Sequence, residues 1–223
     1  MKKQRIWFWF FCLIVIGVGN LAQTADKKEV PPGKTADQYR PRVYKRDNIG
    51  GVQIFEALGQ GAYGNVYLGR LRGVEDRPGE LVAIKISCGA ACYSNAAKRE
   101  AEILAFLHTQ PKAESFFVGL LDHFVHEKLG SKYFCLVLEY APEKDLYSYI
   151  EQAYSDRKVP LEVIKKIMQQ LLHALDFLEK HGVVHADLKP ENVLVWDHFV
   201  KIGDFGCSFF LVDAGGRSAE LIQ

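Results

Sequence analysis

The stretch Val183-Val184-His185-Ala186-Asp187-Leu188-Lys189-Pro190-Glu191-Asn192-Val193-Leu194 decides how the rest of the chain is read. An apolar pair enters a turn that carries one acid (Asp187), one base (Lys189) and one amide (Asn192), and apolar residues leave it. Downstream, a second turn follows in Lys201-Ile202-Gly203-Asp204-Phe205-Gly206, with a carboxylate between glycines. Residues of these types also fill ordinary surface turns. The two readings are separated by the segments around them.

Upstream, Pro160 to Lys180 predicts a long helix. Pro160 suits a first turn, and Leu161, Ile164, Met168, Leu171, Leu172, Leu175 and Leu178 recur at helical spacing, which reads as core. His181-Gly182 ends it, with the glycine as a left-handed cap. Asp145 to Tyr154 fits a shorter helix. Further back, a strand from Val52 to Leu58 runs into Gly59-Gln60-Gly61-Ala62-Tyr63-Gly64-Asn65-Val66. Glycines between two strands let the backbone approach a phosphate chain and donate amide hydrogens to it. In isolation this pattern is as often a plain hairpin.

The neighbours sharpen it. Leu81-Val82-Ala83-Ile84-Lys85-Ile86 alternates as a strand with one lysine in its middle, and a lysine among apolar residues needs a partner or a ligand. A helix is expected over Asn95 to His108, with Ala101, Leu104, Ala105 and His108 on one face and Ile103 and Leu107 beside it. Glu100 and Glu102 both lie on it. Phe116 to His126 and Ser131 to Tyr140 read as a pair of strands around Glu127-Lys128-Leu129-Gly130.

Residues 50 to 223 carry these motifs in an order that resembles the catalytic domain of eukaryotic protein kinases, serine/threonine type. The resemblance implies an α+β, two-lobed fold: a small antiparallel β lobe with one helix over 49–138, then a hinge and a partial helical lobe over 139–223. It implies ATP and Mg2+ as cofactors and a protein bearing Ser or Thr hydroxyls as substrate. Leu58, Gly59, Gln60, Gly61, Ala62, Tyr63, Gly64, Asn65 and Val66 would cover the nucleotide, with Ala83. Lys85 would hold the α- and β-phosphates and Glu100 would hold Lys85, with Glu102 as the fallback. Leu138 would stand behind the base, and Glu139 and Ala141 would form the adenine-binding hinge. Asp145 is placed to reach the ribose, although a helix-capping aspartate is an equally good reading. Asp187 would accept or orient the hydroxyl proton, and Lys189 would neutralise developing phosphoryl charge. Asn192 and Asp204 would bind magnesium through oxygen. His185 more naturally braces the loop than catalyses. Replacing Lys85 by Met or Asp187 by Asn is expected to abolish transfer and leave the fold intact.

Two departures stand out. Ala186 occupies the place where most of the family has an arginine that gathers a phosphorylated segment, so that kind of phosphorylation is not expected to be needed here. Only 17 residues follow Gly206, and about 175 residues stand where the family domain has ~250 or more. The expectation is therefore an incomplete domain. The alternative function is a non-catalytic nucleotide-binding or regulatory fragment, akin to a pseudokinase. A third reading is a kinase-like scaffold used only for binding in the secretory pathway. Apolar surface is expected to be exposed on the long helix.

Charge and composition are ordinary. The net charge is +1 and 25% of residues are charged, which gives no reason to expect a nucleic-acid partner. Five cysteines, Cys12, Cys88, Cys92, Cys135 and Cys207, are too few and irregular for a disulfide framework. Cys88 and Cys92 lack a second pair, so small apolar thiols are preferred to zinc. Lys2, Lys3 and Arg5 precede the apolar run Ile6 to Val18. Residues 1–25 therefore read as a secretory signal peptide, as an uncleaved membrane anchor, or as a misplaced start. Residues 26–48 read as a linker. Pro32-Gly33-Lys34-Thr35 is not a phosphate loop, because Lys28 stands where its first glycine belongs.

Overall fold

Val52 and Ile54 are buried and Gln53 between them is exposed, the period-two signature of a strand with one covered face. They open β2 (Val52–Gln60), which the two-residue β1 (Asn48–Ile49) precedes. The alternation fades after Ile54, where the register with β3 (Gly64–Leu71) shifts twice. β4 (Leu81–Ser87) is buried at every position but its first, as befits a strand covered on both faces. With β5 (Leu120–Lys128) and β6 (Ser131–Glu139) these strands form one antiparallel sheet in the order β1-β2-β3-β4-β6-β5. Its core gathers Ile49, Val52, Ile54, Val82, Ile84, Ile86 and Val137.

The computed structural model describes residues 43–60, 64–72, 79–89, 91–154, 158–197 and 199–211, with backbone alone at 91–93. The leader (1–25), Gly61, Ala62, Tyr63 and the last twelve residues lie outside the described residues. Close packing divides the chain into two units. One holds the described parts of Lys28–Gln110 and Val118–Ala141, and the other those of Pro111–Phe117 and Pro142–Gln223. They are called the sheet unit and the helical unit below.

In the sheet unit, α1 (Ala91–Thr109) begins earlier than the sequence suggests. It buries Ala97, Glu100, Ala101, Ile103, Leu104 and Leu107. Ala105, expected on the covered face, is exposed, because that face turns towards Ile103 and Leu107.

The strand expected from Phe116 starts only at Leu120. Ala113–Ser115 form a short 3-10 turn after Lys112, which sits at φ 73°. Phe116 and Phe117 join the helical unit instead. Ile202 N–H donates to the Phe116 carbonyl at 2.8 Å, and Phe117 pairs in parallel with Ile202. Phe117 is fully buried, with ring centroids 5.5 Å from Phe177 and 5.7 Å from Phe205. Aromatic burial outweighs the strand propensity of these two residues.

The helical unit holds α2 (Leu146–Ala153) and α3 (Leu161–Lys180), then β7 (Val183–Val184), β8 (Val193–Trp196), β9 (Phe199–Ile202) and β10 (Phe209–Phe210). Pro160 caps α3 rather than entering its first turn. Gly182, at φ 64°, ends it as expected and donates its N–H to the Glu179 carbonyl. The leucine stripe is only partly core. Leu171 and Leu178 are buried, but Leu161 is 60% exposed and Leu172 58%. No described helix is long and apolar enough to cross a membrane.

Candidate active site

In the sheet unit, β4 carries Lys85 at its centre, 8% exposed. Its Nζ lies 2.6 Å from Oε2 of Glu100, which α1 holds at 1% exposure. Glu102 is exposed. The geometry thus chooses Glu100, since a buried ammonium without an opposite charge costs far more than a paired one.

The glycines bordering the hairpin tip differ in what they do. A Cβ on Gly64 would stand 2.3 Å from the Ile86 carbonyl oxygen and 3.0 Å from the Ser87 Cα. Gly64 therefore serves the close approach of β3 and β4. A Cβ on Gly59 would meet nothing within 4 Å among the described residues. That open space suits an approaching phosphate, and Gln60 and Asn65 close the register around it. Gly61, Ala62 and Tyr63, expected above the nucleotide, are outside the described residues.

Further along the sheet, Ala83 pairs with Leu138 across β4 and β6, and both are buried. Glu139 turns back into the sheet unit. Its N–H donates to the Gly119 carbonyl at 2.9 Å, and its Oε2 accepts from Gly119 N–H at 3.2 Å. Ala141 is buried beyond it, while Leu58 and Val66 are half-buried.

In the helical unit, the β8–β9 hairpin sets the residues before it and after it side by side, with Val193 opposite Ile202. Gly203 N–H donates to the Asn192 carbonyl at 2.8 Å, so the loop carrying Asp187 is fastened to the turn carrying Asp204. The Asn192 side-chain amide donates to Asp187 twice, at 2.7 Å to the backbone oxygen and 3.1 Å to Oδ2. Lys189 Nζ reaches the same Oδ2 at 2.7 Å. Asp187 Oδ1 and Asn192 Oδ1 carry no hydrogen bond among the described residues, and both can accept one.

Lys189 stays charged. Partial burial pulls its ammonium down, but the hydrogen bond to Asp187 and the charges of Asp187, Asp204 and Glu191 together hold it above the usual lysine range. His185 is the opposite case. It is 4% exposed, and burial pushes the imidazole below its ordinary 6.5 against the pull of Gly203, Asp204 and Asp187. Its Nδ1 accepts from Asp187 N–H at 3.3 Å and its Nε2 donates to the Gly203 carbonyl at 2.9 Å. Only the neutral Nε2–H tautomer satisfies both. The ring braces the loop, as expected.

Asn192 and Asp204 are the residues that would hold a magnesium ion. Asn192 commits its nitrogen to Asp187 and leaves its oxygen, the donor a hard cation takes. No group of three or more His, Cys, Asp or Glu side chains that could hold a metal occurs among the described residues. Asp145 caps α2: Oδ1 accepts from Ser148 N–H and Oδ2 from the Ser148 hydroxyl, each at 2.8 Å.

Ser208 had no role in the sequence reading. It is fully buried and donates its hydroxyl to the His185 carbonyl at 2.9 Å. The available signal was one hydroxyl inside the apolar run Phe205 to Phe210.

A family model described as protein kinase domain matches residues 52–219. Homeodomain-interacting protein kinase 2 of Mesocricetus auratus is 34% identical over 184 residues, covering 76% of this chain and 15% of that protein. Protein kinase dsk1 of Schizosaccharomyces pombe is 37% identical over 142 residues, covering 62% of this chain and 25% of that protein. A solved kinase-domain structure superposes with a TM-score of 0.68 at 23% identity, over 79% of this chain and 57% of its own length. The chain thus spans a small part of the curated relatives it matches. The resemblance carried by the two turns, the lysine strand and the glycine hairpin is met by the family model, by these relatives and by the two-lobed fold. The chain belongs to the eukaryotic protein kinase family, serine/threonine branch.

Proposed function

We propose that this chain binds ATP with magnesium and transfers the γ-phosphoryl group to Ser or Thr hydroxyls of a protein. The observation that carries the reading is the hydrogen-bonded group of Asp187, Lys189 and Asn192, fastened through Asn192 and His185 to the residue before Asp204. Magnesium-bound ATP supplies the transferable phosphoryl group and neutralises part of its charge. Asp187 keeps Oδ1 for the substrate hydroxyl, while Lys189 and Asn192 fix the carboxylate through Oδ2. The hydroxyl oxygen gains the bond to phosphorus, its proton passes to or is oriented by Asp187, and ADP leaves. Lys189 stands beside Asp187 as a permanent positive charge for the transferred group. Lys85, held by Glu100, is the cation for the phosphates of the bound nucleotide. Asp145 caps α2 with both carboxylate oxygens, and each keeps a lone pair that can accept from a ribose hydroxyl.

The test is calorimetric titration of the full chain with ATP, with and without magnesium, followed by labelled phosphate transfer to a basic protein. Magnesium-dependent binding with transfer that Asp187→Asn removes supports the reading, and absence of binding overturns it. Binding without transfer supports the second reading, a nucleotide-binding regulatory fragment. The uncovered apolar face of α3, with Leu161, Leu172 and Leu175 exposed, favours that alternative. For the leader we carry forward the secretory route, with membrane anchoring as its alternative. N-terminal sequencing of the expressed protein decides it: an intact Met1 on a soluble product sinks both.

A further inference from the structure

Ser208 is buried to 0% exposure next to Phe209 and close behind Phe205. A hydroxyl in such a place costs free energy unless it is hydrogen-bonded. Its partner is not the nearest backbone but the carbonyl of His185, twenty-three residues earlier, at 2.9 Å. That carbonyl leads directly into Ala186, which is held at φ 63°. A left-handed alanine is strained and persists only where its surroundings hold it.

His185 is bonded on both flanks of the second turn. Its ring reaches the Gly203 carbonyl, ahead of Asp204, and its own carbonyl takes the Ser208 hydroxyl, beyond Asp204. Farther out the same two segments pair as β7 and β10, and Leu211 N–H donates to the Gly182 carbonyl at 2.7 Å. Ala186 carries a methyl group only and adds no side-chain hydrogen bond. Ser208 therefore ties the loop of Asp187 and Asn192 to the far side of the Asp204 turn through its side chain.

We propose that Ser208 is a positioning residue: its hydroxyl on the His185 carbonyl sets Asp187 and Asn192 relative to Asp204. The functional half of this inference rests on the kinase reading above. The clamp itself does not.

Ser208→Ala in the full chain removes one oxygen and adds no bulk. In hydrogen exchange without nucleotide or metal, the amides of Asp187, Asn192 and Gly203 are expected to exchange about tenfold faster, while those of β3 and β4 keep their rates. In calorimetry the affinity for ATP with magnesium is expected to fall about tenfold, with metal-free ATP affinity unchanged. A general loss of stability would lower both affinities together. Unchanged exchange at the three amides overturns the clamp. Equal loss of affinity with and without magnesium overturns the positioning role. If the unmodified chain binds no ATP, the kinase reading fails, and the exchange result alone still supports or overturns the clamp.

Discussion

Asn192 and Asp187 are joined by two hydrogen bonds from one amide group, 2.7 Å to the Asp187 backbone oxygen and 3.1 Å to its carboxylate. The residue offered to a metal and the residue offered to a hydroxyl are therefore one mechanical piece. Asp187→Asn is expected to lower phosphate transfer by about a hundred- to ten-thousand-fold, the usual worth of a positioned acid or base. ATP affinity and the thermal midpoint should change little, because Asn has the shape of Asp and can keep an oxygen where Lys189 and Asn192 donate. Transfer at the unmodified rate in the Asn variant would remove Asp187 from the role.

Asn192→Ala acts on the other end. It leaves the Asp187 backbone oxygen without its donor, leaves Oδ2 to Lys189 alone, and removes one oxygen from the metal position. A magnesium titration at fixed ATP should shift to higher magnesium. A variant that titrates like the unmodified chain would show that Asn192 serves only the loop.

Lys85→Met departs from the sequence expectation of an intact fold. Lys85 is 8% exposed and Glu100 1%, so the substitution strands a buried carboxylate. Losing one partner of a buried pair costs about 3–5 kcal/mol. Urea unfolding should show that loss for Lys85→Met, and Lys85→Met with Glu100→Leu should recover much of it. Both should fail to bind ATP. If the double variant is no more stable than the single one, the pair is not what holds β4 against α1.

The glycines can be separated by the same means. Gly64→Ala places a Cβ against the backbone of Ile86 and Ser87 and should cost about 1–3 kcal/mol of stability. Gly59→Ala meets no described residue within 4 Å and should leave the melting curve in place while weakening ATP binding. Equal melting shifts for the two would contradict the assignment.

His185 gives a pH dependence of definite sign. Burial holds its folded pKa below 6.5, so below that value the unfolded chain binds a proton that the folded chain refuses. The stabilisation is present above pH 6.5 and is lost as pH falls towards the folded pKa. His185→Gln should flatten the stability profile between pH 7 and 5 relative to the unmodified chain, as read by denaturant melts. Parallel profiles would mean that His185 binds its proton equally well in the folded and the unfolded chain.

The two turns, Lys85 and Glu100 were legible because each is a local pattern of residue types at fixed spacing. The glycine hairpin was legible as a pattern but not as physics. Sequence treats Gly59 and Gly64 alike, and only the register of β3 on β4 shows that one of them serves strand packing. Phe116 and Phe117 read as a strand because aromatic residues favour strands. Their true setting depends on Phe177 and Phe205, far along the chain. The leucine stripe of α3 marked an apolar arc wider than the face its described neighbours cover.

The course of the chain through its two units has a consequence for biosynthesis. Pro111–Phe117 belongs to the helical unit, yet it lies between stretches of the sheet unit. On the ribosome, Phe117 emerges long before Phe177 and Phe205, and the last two sheet strands are synthesised in the interval. The helical unit cannot mature as an independent C-terminal piece, since a polypeptide starting at Pro142 would lack the aromatic side chain at its centre. Vectorial folding here must hold one buried phenylalanine in waiting until translation has passed the second turn.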